Sequence, residues 1–238
     1  MLEVSVTKKL RDFVFDVNIE VNSGETLVLM GENGSGKTTV LNVIAGLAAP
    51  DEGHVRLDST CFFDRASGQD LPPESRNVGY LFQNYALFPT MTVYDNVAFG
   101  LRMRKRPRAE IRTRVKYLLE EMGMWELQGE RAVNLSGGQK QRVALSRALA
   151  IDPALFLLDE PLSAIDAEAQ LSLRKELKQI IKGAGVPGIV VTHSIKDAHE
   201  LADRVCLMEK GKIIASGNPE EVLRKGICRF IDGIMDAY

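Results

Sequence analysis

The stretch TLVLMGENGSGKTTVLNVIAGL, residues 26–47, decides the fold. It opens with a short apolar run (26–30), continues through a glycine-rich loop (31–38) and ends in residues suited to a helix. The loop matches the pattern G-x-x-x-x-G-K-[ST] in full, and it has the strand before it and the helix after it that this pattern requires. Glycines let backbone N–H groups wrap a phosphate, and a helix N-terminus favours an anion. The stretch therefore predicts a phosphate site at the end of a buried strand.

The loop supplies most of the candidate nucleotide ligands. We expect Lys37 to reach the β- and γ-phosphates and the Thr38 hydroxyl to ligate Mg²⁺. Thr39 is expected to add a phosphate contact. The full candidate set in this loop is Gly31, Glu32, Asn33, Gly34, Ser35, Gly36, Lys37, Thr38 and Thr39.

Short apolar runs alternate with helical segments on both sides of this loop. The runs predict strands at 3–7, 13–21, 53–58, 77–83, 154–160 and 188–193, and a hairpin over 205–217 that turns at Lys210-Gly211. Helices are predicted at 91–101, 109–122, 139–150, 167–185 and 218–226. This alternation is typical of an α/β fold with a mainly parallel sheet. Residues 84–149 hold predicted helices and no convincing strand, which indicates a helical insertion.

Polar residues follow several of the predicted strands. Asp159 and Glu160 end LFLLDE, where Asp159 would hold Mg²⁺ and Glu160 would orient or deprotonate an attacking water. Gln83, which can contact Mg²⁺ or that water, and His193, which can bond the γ-phosphate, end two other strands. Each of these is common at a strand end on its own. Together with the loop they gather at the carboxyl edge of the sheet, where open α/β sheets bind ligands.

A second anion-binding turn begins the stretch LSGGQKQRVALSRALA, residues 135–150. A flexible turn runs directly into a helix N-terminus, so free N–H groups and the helix dipole point the same way. The candidate residues are Ser136, Gly137, Gly138 and Gln139.

Composition limits the class of protein. The 238 residues are 45% hydrophobic with a net charge of −2, which suits a globular core and gives no basic field for nucleic acid. The three cysteines are scattered, without metal-ligand spacing or a disulfide framework. We recognise no signal peptide and no apolar run of the roughly 20 residues that a membrane span needs. Any connection to a membrane is therefore expected to pass through a partner.

The order of GENGSGKT, Gln83, LSGGQ, LFLLDE, SAID (163–166) and His193 resembles the ATPase subunit of an ATP-binding-cassette transporter. The resemblance covers essentially the whole chain and implies one domain, 1–238. That domain is a P-loop NTPase (RecA-like) core at 1–84 and 150–238, with a mainly parallel sheet and an antiparallel β subdomain, and an inserted α-helical subdomain at 85–149. It implies ATP and Mg²⁺ as cofactors and ATP hydrolysis as the activity.

The same resemblance implies a homodimer that sandwiches two ATP molecules. Each ATP lies between the glycine-rich loop of one subunit and the LSGGQ turn of the other. Residues Ser163 to Asp166 match the segment that crosses this interface, although Ile165 stands where leucine is commoner. The family also stacks an aromatic ring on adenine, for which Phe13 is the best candidate. Phe15 would point the same way on a strand, and both rings can equally be core.

The stretch LPPESRNVGYLFQNYALFPTMTVYDNVAFGL (71–101) resembles importers that work with a solute-binding protein. The resemblance implies a transmembrane permease partner that docks near Tyr85–Pro89, which places the protein peripherally on the cytoplasmic face of the membrane, and no nucleic acid. Only 45 residues follow His193, so we expect no C-terminal regulatory domain. Among short members the chain looks most like molybdate/tungstate importer ATPases.

Two alternatives belong to other classes. A soluble cassette ATPase for DNA maintenance or translation would also carry the LSGGQ turn, but such proteins have long coiled coils or two cassettes in one chain. A small-molecule P-loop kinase would explain neither LSGGQ nor a glutamate placed to activate water.

Overall fold

The computed structural model describes residues 1–163 and 167–236, and its chain alternates strands with helices. The strands are β1 (Leu2–Lys9), β2 (Val14–Val21), β3 (Thr26–Met30), β4 (Glu52–Leu57), β5 (Thr60–Asp64), β6 (Gln69–Asp70), β7 (Val78–Leu81), β8 (Leu155–Asp159), β9 (Gly188–Val191), β10 (Arg204–Glu209) and β11 (Lys212–Gly217). The helices are α1 (Lys37–Ala45), α2 (Val93–Met103), α3 (Arg108–Glu121), α4 (Gly137–Ala150), α5 (Ala167–Ala184), α6 (Ile195–Leu201), α7 (Pro219–Val222) and α8 (Arg229–Met235).

The described strands form one sheet in the order β6-β5-β4-β1-β2-β11-β10-β3-β9-β8-β7. The five strands β10, β3, β9, β8 and β7 run parallel to one another. Strands β1, β2, β4, β5 and β6 pair antiparallel, as β10 does with β11. The predicted α/β class, with a parallel core and an antiparallel β subdomain, is confirmed.

The central strands are apolar throughout because both of their faces are covered. Every residue of β3, β8 and β9 is buried, which is the pattern of a parallel sheet inside an α/β layer structure. Val28 and Leu158 face one hydrophobic cluster, which also contains residues of the helices α2 to α6. Leu27 and Leu157 face a second cluster, which includes α1 and the antiparallel strands.

The insertion between β7 and β8 is helical, as the sequence predicts. Helices α2 and α3 pack on each other and on α4, and α4 also packs on β7. The strand pairing that the described residues 84–149 show is one isolated bridge, between Thr92 and Arg131. Helix α4 therefore connects the helical part to the sheet.

The structure differs from the sequence expectations in small elements. It adds the hairpin β5–β6 and the helices α6 and α8, and it shortens the helix predicted over 218–226 to α7. The predicted interface residues Ala164 to Asp166 lie outside the described residues. Within the described ranges no helix combines the length and the apolar character that crossing a membrane requires.

Candidate functional site

The carboxyl ends of β3, β7, β8 and β9 meet at a cavity of about 460 Å³. Parallel strands present their carboxyl ends at one edge of the sheet, so residues distant in sequence converge there. The cavity is lined by Leu10, Arg11, Asp12, Phe13, Asn33, Gly34, Gly36, Lys37, Thr38, Thr39, Gln83, Asp159, Glu160 and Val191. Three of the predicted strand-end residues line it directly: Gln83, Asp159 and Glu160. The fourth, His193, contacts Glu160.

The glycine-rich loop takes a path that side chains would block. Gly31 has φ 150°, and a Cβ there would lie 2.2 Å from the Met208 carbonyl oxygen. Gly36 has φ 108°, and a Cβ there would lie 3.3 Å from the Phe15 ring. Gly36 is also the N-cap of α1, and no side chain in the described part of the chain caps the first N–H groups of that helix. The helix N-terminus is thus open to an anion.

Lys37 lies folded against its own loop. Its Nζ donates to the carbonyl oxygens of Gly31 and Glu32, each at 2.8 Å, and the side chain is buried. Burial lowers the pKa of the ammonium group, while the carboxylates of Glu160 and Asp159 oppose that shift. Among the described residues no carboxylate is hydrogen-bonded to this cation, which suits it to an incoming phosphate.

Thr38 and Asp159 form the oxygen pair expected of a magnesium site. The Thr38 hydroxyl donates to Asp159 Oδ2 at 2.9 Å, and Asp159 is 4% exposed. Burial raises the pKa of the Asp159 carboxyl, and the Thr38 hydroxyl and the Lys37 charge lower it by less. Hydroxyl and carboxylate oxygens are the ligands that Mg²⁺ prefers, so this donor set fits the ion.

Glu160 and His193 are in contact. His193 Nδ1 lies 2.9 Å from Glu160 Oε1, and the ring is exposed whereas the carboxylate is 12% exposed. Glu160 has φ 50°, a left-handed conformation, and its N–H donates to the Val191 carbonyl at 2.9 Å. Burial raises the pKa of the Glu160 carboxyl, against the lowering effect of His193. A raised pKa suits a carboxylate that accepts a proton near neutral pH.

Gln83 is exposed and lines the cavity just after β7. The resemblance places permease docking at the apolar residues that follow it, and the structure divides these residues between core and surface. Tyr85 is buried at 9% exposure within the core, Phe88 is half-buried, and Pro89 is exposed. Part of the predicted docking segment therefore packs inward.

The two candidate phenylalanines have different environments. Phe13 precedes β2, is half-buried and lines the cavity. The Phe13 ring packs against Gly211, where a Cβ would lie 2.6 Å from that ring. Phe15 is fully buried beneath the loop. The position of Phe13 supports it as the base-stacking candidate, and that of Phe15 does not.

The turn of the LSGGQ motif, Ser136–Gln139, lies away from this cavity and is called the signature turn below. None of the residues Ser136, Gly137, Gly138 and Gln139 lines the cavity. Ser136 caps α4: its Oγ accepts from the Gln139 N–H at 3.3 Å, and its own N–H donates to Gln139 Oε1 at 2.9 Å. Ser136 and Gly137 are exposed. The turn is a rigid, exposed helix start that does not contribute to the cavity of its own chain.

Sequence reasoning missed four cavity residues: Val191 at the end of β9, and Leu10, Arg11 and Asp12. The last three form the turn between β1 and β2, directly before Phe13, and their position next to that candidate was the available signal.

Comparison with known proteins gives a consistent result. The family described as ABC transporter matches residues 14–163. The trehalose/maltose import ATP-binding protein MalK of Thermococcus litoralis is 43% identical over 222 residues, which are 93% of this chain and 60% of that protein. The molybdate/tungstate import ATP-binding protein WtpC of Pyrococcus horikoshii is 42% identical over 230 residues, 94% and 64% of the two chains. This chain thus spans less than two thirds of the length of these relatives.

A solved structure agrees in fold. The ATP-binding cassette MJ0796, described as a dimeric post-hydrolysis state bound to ADP and Pi, superposes with a TM-score of 0.80 at 30% identity. The superposition covers 92% of this chain and 99% of that one. By its phosphate loop, by the residues that meet at the carboxyl edge of its sheet and by a family match over most of its length, the chain belongs to the ABC transporter family.

Proposed function

We propose that this chain binds and hydrolyses ATP to power the import of a solute across a membrane. The observation that carries the proposal is the convergence of Lys37, the Thr38–Asp159 pair and the Glu160–His193 pair on one cavity. Each group matches one requirement of phosphoryl transfer to water: charge neutralisation, metal binding and water activation.

The loop and the start of α1 would hold the phosphates of ATP through backbone N–H groups and Lys37. The Thr38 hydroxyl and the Asp159 carboxylate would hold Mg²⁺, and Gln83 would contact the ion or the water. Mg²⁺ supplies charge neutralisation on the phosphate oxygens when it is bound. Phe13 is proposed to stack on the adenine.

Glu160 is the proposed general base, and His193 keeps it in position. The ring N–H at Nδ1 holds one carboxylate oxygen, which leaves the other to orient a water and take its proton. In the imidazolium form, the Nε2 N–H of His193 would donate to the γ-phosphate while Nδ1 still donates to Glu160. A left-handed backbone at Glu160 fixes the carboxylate direction before substrate arrives.

The test is the variant Glu160→Gln, which keeps the side-chain shape and removes the base. We expect ATP hydrolysis to fall by at least 100-fold, in line with the loss of a general base, while ATP binding is retained. Size-exclusion chromatography with MgATP should then show a stable dimer. Near-normal hydrolysis by this variant would remove Glu160 from its proposed role.

The proposed active form is a homodimer in which each ATP is shared. An exposed helix start at Ser136–Gln139, absent from its own chain's cavity, is suited to meet the γ-phosphate held by a second copy. The dimeric cassette with ADP and Pi is a relative in which two copies assemble.

We further propose one domain, divided into a core at 1–84 and 150–238 and a helical subdomain at 85–149. A transmembrane permease would dock near Tyr85–Pro89 and hold the chain on the cytoplasmic face of the membrane, with a solute-binding protein as an indirect partner. The relatives named as import ATP-binding proteins support this reading over a soluble ATPase of DNA maintenance or translation.

The solute is proposed to be an oxyanion such as molybdate or tungstate. The first eight relatives include two molybdate/tungstate and five sulfate/thiosulfate import proteins, and one for trehalose/maltose. The experiment is ATP hydrolysis by the chain reconstituted with its permease and binding protein. Stimulation by molybdate and not by maltose supports the proposal; stimulation by maltose, DNA or ribosomes contradicts it.

A further inference from the structure

One arginine of α4, the helix that begins at the signature turn, hydrogen-bonds to the segment that follows the cavity residue Gln83. Arg147 lies on α4, eleven residues after Ser136 and about 16 Å along the helix axis. Its Nη2 donates to the Tyr85 carbonyl oxygen at 2.7 Å, and its Nη1 donates to the Ala86 carbonyl oxygen at 2.6 Å. The guanidinium carbon also lies 5.8 Å from the centroid of the Phe88 ring. The linking segment, residues 83–89, is thus fastened to α4.

The backbone that Arg147 holds is strained. Tyr85 has φ 63° and Ala86 has φ 44°, so two consecutive residues with side chains lie in the left-handed region. Such a conformation persists only where neighbouring groups stabilise it. The planar fork of arginine can bind two adjacent carbonyls at once, which a lysine ammonium cannot match. Burial lowers the pKa of the Arg147 guanidinium to about 10, so the group is still charged at neutral pH.

The far end of the linking segment is fastened to α2. Asn96 is fully buried, and its amide accepts from the Phe88 N–H at 2.9 Å and donates to the Phe88 carbonyl at 3.1 Å. The Phe88 and Phe99 rings lie 4.6 Å apart. The near end, Gln83, lines the nucleotide cavity. The segment therefore runs from the cavity to the helical part, with Arg147 between the two ends.

We propose that Arg147 is a positioning residue that makes the linking segment and the signature turn move together. The guanidinium ties the strained Tyr85–Ala86 backbone to the same rigid helix that begins at Ser136. A change at the segment then reaches the turn, and closure of the turn on a second subunit's ATP reaches the segment. This inference rests on the proposed function and adds to it a route of coupling.

The test uses amide hydrogen exchange of the full chain in the Glu160→Gln background, with and without MgATP. With Arg147 intact, we expect MgATP to slow exchange at 85–89. In Arg147→Met, we expect exchange at 85–89 without nucleotide to rise at least tenfold, because two hydrogen bonds from a charged group are lost. We also expect the MgATP response there to disappear, while the dimer still forms on size exclusion.

The matched control is Arg142→Met. Arg142 lies on the same helix, and its Nη1 donates to the Met122 carbonyl at 3.1 Å, away from the segment. Exchange at 85–89 in this variant should equal that of the parent. If Arg147→Met fails to fold, Arg147→Lys replaces it, with an expected rise smaller than the tenfold one because one carbonyl can still be bound.

The possible outcomes distinguish a failure of the proposed function from a failure of the role inferred for Arg147. If the parent with Arg147 forms no MgATP dimer, the proposed function fails, and the inference fails with it. If the dimer forms and exchange at 85–89 responds to MgATP equally with and without Arg147, the inference alone is overturned. A parent dimer with no MgATP response at 85–89 also overturns it.

Discussion

At the scale of single residues, the cavity holds acidic groups where charge is unfavourable. Asp159 is almost fully buried, and burial raises the pKa of its carboxyl despite the nearby Lys37 and the Thr38 hydroxyl. A carboxyl with a raised pKa binds its proton more tightly in the folded chain than in the unfolded chain. Ionisation therefore favours the unfolded chain, and the site is kept at a cost to stability.

The variant Asp159→Asn tests this argument. An amide keeps the bond to Thr38 and carries no charge, so in magnesium-free buffer at pH 8 we expect the free energy of unfolding to rise by about 1 kcal/mol. Below the ordinary aspartate pKa both states are protonated, so the gain should shrink as the pH falls toward 4. Denaturant titrations at several pH values measure it, with Asp16→Asn, an exposed position on β2, as the control. Equal or lower stability at pH 8 would contradict the argument.

The sequence predicted the residues of this site better than their surroundings. Lys37, Asp159 and Glu160 sit at fixed positions of a loop or strand end, so the motif alone places them at the cavity. The choice between Phe13 and Phe15 depends on where β2 begins, which alternation alone does not settle. Arg147 acts through two carbonyl oxygens whose strained backbone leaves no mark in the sequence.

At the scale of elements, α1 and α4 begin in opposite ways. α1 starts at a glycine with its N–H groups open, and α4 starts with Ser136 and Gln139 capping each other. The first is suited to enclose a phosphate, and the second to present a rigid exposed turn. The sequence predicted both helices because their glycine-rich starts and apolar spacing are local features.

The cap of α4 allows folding and assembly to be separated with Ser136→Asp. Aspartate is as good an N-cap as serine, so stability should change little, whereas Ser136→Ala should lose about 1 kcal/mol. In the Glu160→Gln background, however, the added carboxylate would face the phosphates of the second subunit. We therefore expect Ser136→Asp to bind MgATP and fail to dimerise on size exclusion.

The control for this variant is Asn218→Asp, which keeps a cap on α7 and adds the same charge away from the turn. It should dimerise as the parent does. A Ser136→Asp chain that dimerises equally well would show that the turn does not face phosphate.

Elements without a local signal were missed. The β5–β6 hairpin lies in TCFFDRASGQD, where polar turn residues outnumber the apolar ones and hide the strand pattern. Helix α6 has seven residues between His193 and Ala202 and is held by the buried ion pair of Asp197 with Arg174 on α5. Such short elements depend on packing that a sequence window does not contain.

At the scale of the whole molecule, a shared site predicts complementation between two inactive variants. Lys37→Ala removes the phosphate contact of each chain's own loop, and Ser136→Arg blocks the turn that meets the partner's ATP. Each variant alone should be inactive, because both sites of its homodimer are damaged. A mixed dimer has one site with both defects and one site with neither.

Equal mixing of the two variants therefore restores activity only through the mixed dimers. If the two sites act independently, the mixture should reach about one quarter of wild-type hydrolysis per chain when the chains pair at random, and at most about one half when only mixed dimers form, since each mixed dimer has one intact site. If both sites must work together, the mixture stays inactive like its components. Steady-state ATP hydrolysis at several mixing ratios measures this. Hydrolysis by Ser136→Arg alone, or by a mixture at well above one half of the wild-type rate, would show that one chain completes its own site, and the shared site would be contradicted.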